Sequence, residues 1–233
     1  MNTILAFGDS LTWGTDPVTG GRHPLQFRWP TVVRQQLGEG WHVVAEGLGG
    51  RTTAYDDPDT RVDRNGAKVL PVLLSSHFPL ELVVILLGLN DLKQTTGRNA
   101  EASAAGLERL LEIIRDHPYR WSGAVPRVLV VAPPHLRERR DGAPVAGGRV
   151  IEESLRLAPL FRAVSERFGA DFLDGAEVAQ SDPADGVHLS GEATLAIGLA
   201  IAERIATMIT PRNLTLTPPD PIVAQVVEEL LMG

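Results

Sequence analysis

Cysteine is absent from the 233-residue chain. That excludes disulfides, thiolate metal sites and a cysteine nucleophile, and it fits a reducing compartment. No apolar run reaches the roughly 18–20 residues that a membrane helix requires. Residues 1–7 are too short and carry no basic flank, so no signal peptide is visible. Basic residues are outnumbered, 22 against 29 acidic, for a formal charge of −7. No basic stripe offsets that balance, which argues against nucleic acid as a partner. The densest basic run, RERR at 137–140, reads as a solvated loop. Internal repeats and low-complexity tracts are also missing. These absences together lead us to expect a soluble cytoplasmic protein with no nucleic-acid or membrane partner.

What is present is ordinary for a globular chain: 43% hydrophobic and 22% charged residues. A domain of this size buries roughly 70–75% of the surface its unfolded chain exposes. Strand-like runs rich in β-branched residues occur at 3–7 (TILAF), 42–46 (HVVAE), 82–87 (LVVILL) and 127–132 (RVLVVA), with DFLD at 171–174 a weaker fifth. Several are apolar on consecutive residues, as expected when helices cover both faces of a parallel sheet. Helical patterns lie between them. WPTVVRQQLG at 29–38 has Pro30 where a first turn accepts it and Gly38 where the helix should stop. Others run over about 100–117, 151–168 and 191–209. Strand alternating with helix indicates an α/β fold, a three-layer α/β/α sandwich.

Two stretches depart from this rhythm. Residues 50–66 (GRTTAYDDPDTRVDRNG) are long, polar and turn-rich, the mark of a functional loop. Residues 211–221 resemble a Pro-containing linker. In the following segment Ile222, Val223, Val226, Val227, Leu230 and Leu231 form one apolar stripe at helical spacing. The expected organisation is therefore one domain over 1–210, then a linker and amphipathic helix over 211–233. That helix would pack on its own domain or on a second subunit.

Four short segments carry chemistry: GDSL (8–11), GLGGRTT (47–53), GLND (88–91) and DGVH (185–188). Three follow the carboxyl end of a predicted strand, the edge where open parallel sheets bind ligands. Ser10 offers a hydroxyl that becomes a nucleophile once a base removes its proton. His188 is the natural base, because an ordinary imidazole titrates near neutral pH. Asp185, three residues earlier, suits the other ring nitrogen and would stabilise the imidazolium. The backbone N–H groups of Ser10 and Gly50, with the Asn90 side-chain amide, could supply three oxyanion donors. Taken singly, each piece has a plainer reading: Ser10 a helix cap, Asn90 a turn former, Asp185 a loop residue. Together, in one order on one α/β chain, they make an acyl-transfer site.

On these residues the chain resembles the SGNH (GDSL-type) hydrolase family, whose four blocks are matched by Ser10, Gly50, Asn90 and Asp185/His188. The resemblance covers about residues 2–209. It is nearest to the bacterial arylesterase/acyltransferase branch, through FGDSLTWG, EGLGGRTT, the stretch DDP…RNGA…LP at 56–71, LGLND and VLVVAPP. It implies a flavodoxin-like sandwich with about five parallel strands, acting on small-molecule acyl esters without metal or organic cofactor. It also implies acyl transfer to alcohols or peroxide in some members, and frequent oligomers. A homo-oligomer is therefore expected. His135 stands where that branch usually has proline, and residues 137–150 are polar where relatives often place apolar side chains, so the pocket rim should differ. Alternatives are a carbohydrate deacetylase or a non-catalytic binding protein on the same fold.

Other residues have plainer expectations. Asp9 should bond backbone around its turn, and Asp91 should cap the segment after Asn90. Trp13 either lines the acyl pocket or packs beneath the loop. Arg51, Asp56 and Asp57 read as loop salt bridges. His23, His42, His77, His117 and His135 lack ligand spacing, and no metal site is expected.

Overall fold

The computed structural model describes residues 1–120 and 124–209; the expected tail helix and linker lie outside the described residues. Five strands form the sheet: β1 (Asn2–Gly8), β2 (Trp41–Gly47), β3 (Leu82–Leu86), β4 (Arg127–Ala132) and β5 (Asp171–Asp174). All pair in parallel, in the order β2-β1-β3-β4-β5. The consecutive apolar residues of β1 and β3 are fully buried from Ile4 to Phe7 and from Leu82 to Leu86, as a sheet covered on both faces requires.

Helices supply the covers. α1 (Ser10–Trp13) is a single turn; α2 (Trp29–Leu37), α3 (Gly66–Ser76) and α4 (Ala100–Asp116) follow. α5 (Ile151–Leu155), α6 (Leu157–Phe168) and α7 (Gly191–Met208) complete the set. α2 packs on α7, whereas α4 packs on both α3 and α6, giving the two outer layers of the expected sandwich. The pattern over 151–168 is divided at Arg156, which keeps right-handed helical dihedrals (φ −88°, ψ −12°) while joining two short helices. α3 is an addition to the sequence reading. Pro71 stands inside it, where proline removes a helix hydrogen bond, so local pattern argues against a helix that burial of Leu70 and Leu74 favours.

Strand register positions the functional edge. Gly8 pairs with Gly47 on one side and with Leu86 on the other. Ser10, Gly50 and Asn90 each lie two to four residues beyond that common level. The chain after β1 must turn at once into α1, and its closeness to the sheet is set by missing side chains. A β-carbon at Gly47 would lie 2.3 Å from the Trp13 nitrogen; one at Gly8 would lie 2.0 Å from Thr12 Oγ1. Trp29 Nε1 donates to Thr12 Oγ1 at 3.2 Å, tying α1 to the start of α2.

The backbone contact at Gly47 cannot yield as a flexible side chain would. We expect Gly47→Ala to lower stability by about 3 kcal/mol, read as a shift in the urea midpoint with unchanged m-value.

Candidate active site

α1 is capped by Asp9, not Ser10: Asp9 Oδ1 accepts from the Leu11 N–H at 2.9 Å. Gly14, at φ 90°, closes the turn in the left-handed conformation, which glycine adopts without a steric penalty. Ser10 is thus the first helical residue. Its N–H has no intrahelical acceptor, and its hydroxyl is left for another partner.

That partner comes from the segment between β5 and α7. His188 Nε2 lies 2.9 Å from Ser10 Oγ, across 178 residues of sequence. His188 Nδ1 lies 2.5 Å from Asp185 Oδ2. Asp185 Oδ1 also accepts from the N–H groups of Val187 and His188, both at 2.9 Å. Burial works against the Asp185 charge, but the bonds from the His188 ring and these two N–H groups outweigh it and hold the carboxyl below its usual range. The segment is braced by the polar loop after β4. Arg137 N–H donates to the Gly186 carbonyl, and Arg140 N–H to that of Pro183. The RERR run therefore has a structural task as well as solvent exposure. His23, read only as packing, bonds the Leu189 carbonyl through Nε2 at 2.8 Å.

The second block forms a tight turn over Leu48–Arg51, with Arg51 N–H donating to the Leu48 carbonyl at 3.0 Å. A β-carbon at Gly49 would sit 4.0 Å from Ser10 Cβ, so this turn lies directly against Ser10. Gly50 has φ 82°, and its N–H has no partner among the described residues. The N–H groups of Ser10 and Gly50, in adjoining turns, are therefore two donors without an acceptor among the described residues.

Asn90 is close by but differently engaged. Its Nδ2 donates to Asp9 Oδ2 at 2.9 Å and to the Arg51 carbonyl at 3.1 Å. Its Oδ1 accepts from Arg149 Nη2 at 2.7 Å. Both amide hydrogens are thus taken in this resting state. Arg149 comes from the polar segment 137–150 and also donates to the Leu89 carbonyl at 2.9 Å and to that of Ala146. An open cleft of about 480 Å³ adjoins it, with Arg139, Glu138, Val145 and Glu152 in its wall. The sequence signal for Arg149 was only a polar segment where apolar residues were expected.

Asp9 and Asp91 are both buried. Asp91 does not cap its own segment as expected. It accepts from Thr53 N–H and Thr53 Oγ1, both at 2.9 Å, and from Ser103 Oγ at 2.7 Å, joining the second block to the third and to α4. Burial pushes its carboxyl up to about 6 against those three donors. Burial likewise raises Asp9, although the Leu11 N–H and the charges of His188, Arg149 and Arg51 oppose it. Arg51 corrects another expectation. Among the described residues it makes no salt bridge, but donates to the Gly8 carbonyl at 2.9 Å and to that of Glu46, over the face of Phe7. Burial pushes it down to about 10. Asp56 and Asp57 do pair as expected, with Lys68 at 2.6 Å and Lys93 at 2.7 Å. Trp13 is half-buried, with the Arg22 guanidinium 4.9 Å over its ring.

Among the described residues no cluster of three or more His, Asp or Glu side chains is arranged to hold a metal ion, and no helix is long and apolar enough to cross a membrane. A hydroxyl bonded to an imidazole, an imidazole bonded to a carboxylate, and two free N–H groups beside the hydroxyl are equipped for nucleophilic attack on a carbonyl.

Comparisons with known proteins bear on the family and the fold. The model of the GDSL-like lipase/acylhydrolase family matches residues 6–194. A structure from Agrobacterium tumefaciens str. C58, designated an arylesterase, is 50% identical with a TM-score of 0.86, over 90% of this chain and 100% of that one. A carbohydrate acetylesterase family member from Sinorhizobium meliloti is 44% identical with a TM-score of 0.86, over 91% and 100%. The aryl esterase of M. smegmatis is 34% identical with a TM-score of 0.80, over 90% and 100%. No curated protein sequence matches the chain significantly.

The Asp91 carboxyl supplies a test of the buried network. With its folded-state pKa raised to about 6, the native protein keeps a proton there that the unfolded chain has lost between about pH 4 and pH 6. Its contribution to stability is greatest below that window and falls by about 3 kcal/mol as pH rises through it. The difference in unfolding free energy between wild type and Asp91→Asn, measured from pH 4 to 7, should carry that downward slope.

Proposed function

The chain belongs to the GDSL-like lipase/acylhydrolase family, and from that premise we propose that it is a serine esterase acting on small acyl esters of the acetyl or aryl type. The observation that carries this reading is the unbroken chain of hydrogen bonds Ser10–His188–Asp185 at the carboxyl edge of the sheet. Ser10 Oγ attacks the ester carbonyl as His188 Nε2 takes its proton. Asp185 holds the ring by Nδ1 and stabilises the imidazolium. The carbonyl oxygen becomes an oxyanion, received by the N–H groups of Ser10 and Gly50. Collapse expels the alcohol, which takes the proton back from His188, and leaves an acyl-serine. Water, activated by the same imidazole, then releases the acid.

Asn90 is the third donor in this scheme. A full negative charge attracts an N–H about twice as strongly as a neutral carbonyl does. The forming oxyanion therefore competes well for the hydrogen now bonded to the Arg51 carbonyl at 3.1 Å. The acyl-enzyme is open to alcohols or peroxide as well as water, so transfer is a second outcome of the same intermediate. The 44% identity to a carbohydrate acetylesterase family member supports sugar acetates as a substrate class beside aryl acetates.

Ser10→Ala should reduce hydrolysis of p-nitrophenyl acetate and butyrate by about 10⁴-fold or more; equal rates in the two proteins end the proposal. Asn90→Ala should lower kcat by about 10²–10³-fold with little change in KM, whereas a residue that only braces the turn would lower the melting temperature and spare kcat.

A further inference from the structure

Cations crowd the Gly50 turn in a way the reaction itself does not require. A β-carbon at Gly50 would meet Lys93 Nζ at 3.6 Å and Arg64 Nε at 3.7 Å. One at Gly147 would meet Arg149 Nη1 at 3.1 Å and Lys93 Cγ at 3.3 Å. Arg64, Lys93 and Arg149 therefore form one arc beside the two open N–H donors. Arg51, next in sequence to Gly50, is a buried cation but turns its head toward β1 and β2.

Their counter-charges do not balance. Lys93 is paired with Asp57 at 2.7 Å. Among the described residues Arg149 hydrogen-bonds only neutral acceptors, with Asp9, Asp57 and Asp185 felt at longer range. Arg64 has no carboxylate within ion-pair distance among the described residues, and its Nε is buried without a hydrogen-bond partner. Its backbone is nonetheless fixed, since its carbonyl accepts from Thr52 N–H at 2.9 Å and Thr52 Oγ1 at 3.2 Å. In the adjoining cleft Arg139 is paired with Asp141, whereas neither Arg64 nor Arg149 has an ion-pair partner among the described residues. Arg64 acts on the Asp57 carboxylate only at longer range, and Asp57 is already bound to Lys93. Buried donors are otherwise nearly always satisfied.

We propose that this arc binds an anionic group on the substrate, and that Arg64 is its principal ligand: the preferred ester carries a carboxylate or comparable anion close to the scissile carbonyl. A planar guanidinium whose Nη groups make no hydrogen bond among the described residues suits such a group. The inference rests on the esterase reading and narrows its substrate class. The anion belongs either to the alcohol part, as in an acetylated aromatic or sugar acid, or to the acyl part, as in a half-ester of a dicarboxylic acid.

Two matched pairs of esters separate these sources. The alcohol-side pair is 3-acetoxybenzoate against 3-acetoxybenzamide. The acyl-side pair is p-nitrophenyl hemisuccinate against p-nitrophenyl butyrate, corrected for the uncatalysed rate. At low ionic strength, kcat/KM should favour the anion by about tenfold in at least one pair. That ratio should fall toward one at about 0.5 M salt and in Arg64→Gln, with folding of the variant checked by its melting curve. Preference in one pair only identifies which side of the ester bears the charge. Hydrolysis of the neutral esters with no anion preference in either pair overturns the inference while leaving the esterase reading intact. A preference that persists unchanged in Arg64→Gln overturns the role of Arg64. Failure to hydrolyse any of the four esters overturns the esterase reading itself.

Discussion

The close seat of α1 against the ends of β1 and β2 governs what the rest of the site can do. The single turn approaches the sheet through backbone at Gly47 and through Thr12 at Gly8, with no room for a β-carbon at either position. Because β1 and β2 are in register at these two glycines, the turn that follows β1 and the turn that follows β2 emerge side by side. Ser10 and Gly50 become neighbours as a consequence of strand pairing, before any polar contact is considered. The same logic extends one strand over, since Leu86 is level with Gly8 and Asn90 follows four residues later. Only His188 needs a separate device. Its segment leaves the far edge strand β5 and is drawn inward by bonds from Arg137 and Arg140 to the carbonyls of Gly186 and Pro183.

Backbone proximity alone would leave these turns free to slide, and two buried carboxylates prevent it. Asp9 links the first block to the third through the Leu11 N–H and the Asn90 amide. Asp91 links the third block to Thr53 of the second and to Ser103 of α4. A buried carboxylate is tolerable only with such donors around it, and removing one leaves its charge less well satisfied. Both carboxyls are raised by burial, so both detract from stability at neutral pH relative to exposed ones. What they contribute is definition of position.

Strands and catalytic candidates were legible because each leaves a local trace. Runs such as LVVIL are both strand-forming and fully buried, and Ser10, Asp185 and His188 carry their chemistry in the side chain itself. Other features had no local trace. α3 was hidden by Pro71, whose missing N–H is tolerated because the helix buries Leu70 and Leu74. Arg51 looked like a loop residue destined for a carboxylate, but the nearest acceptors at the strand ends are carbonyls. Arg149 lies 59 residues from Asn90 along the chain, and no spacing rule connects them. The resting engagement of both Asn90 hydrogens is a property of three segments at once.

That engagement bears on how the site meets charge. Arg149, Asn90 and Asp9 form a line in which a buried cation donates to an amide oxygen and the amide nitrogen donates to a buried anion. Hydrogen bonds in such a chain polarise one another, so the guanidinium at one end strengthens the amide as a donor at the other. With substrate absent, the positive and negative ends of this line compensate each other, and the amide is held rigid. Under the proposed mechanism an oxyanion forming beside Ser10 would draw one of the amide hydrogens from the Arg51 carbonyl, while Asp9 and Arg149 hold the amide in place. The Ser10 and Gly50 N–H groups have no partner to give up among the described residues, and donors ordered during folding stabilise developing charge without reordering in a reaction. The cost of burying Asp9 and Arg149 is thus met in the fold by the bonds that fix Asn90 in position.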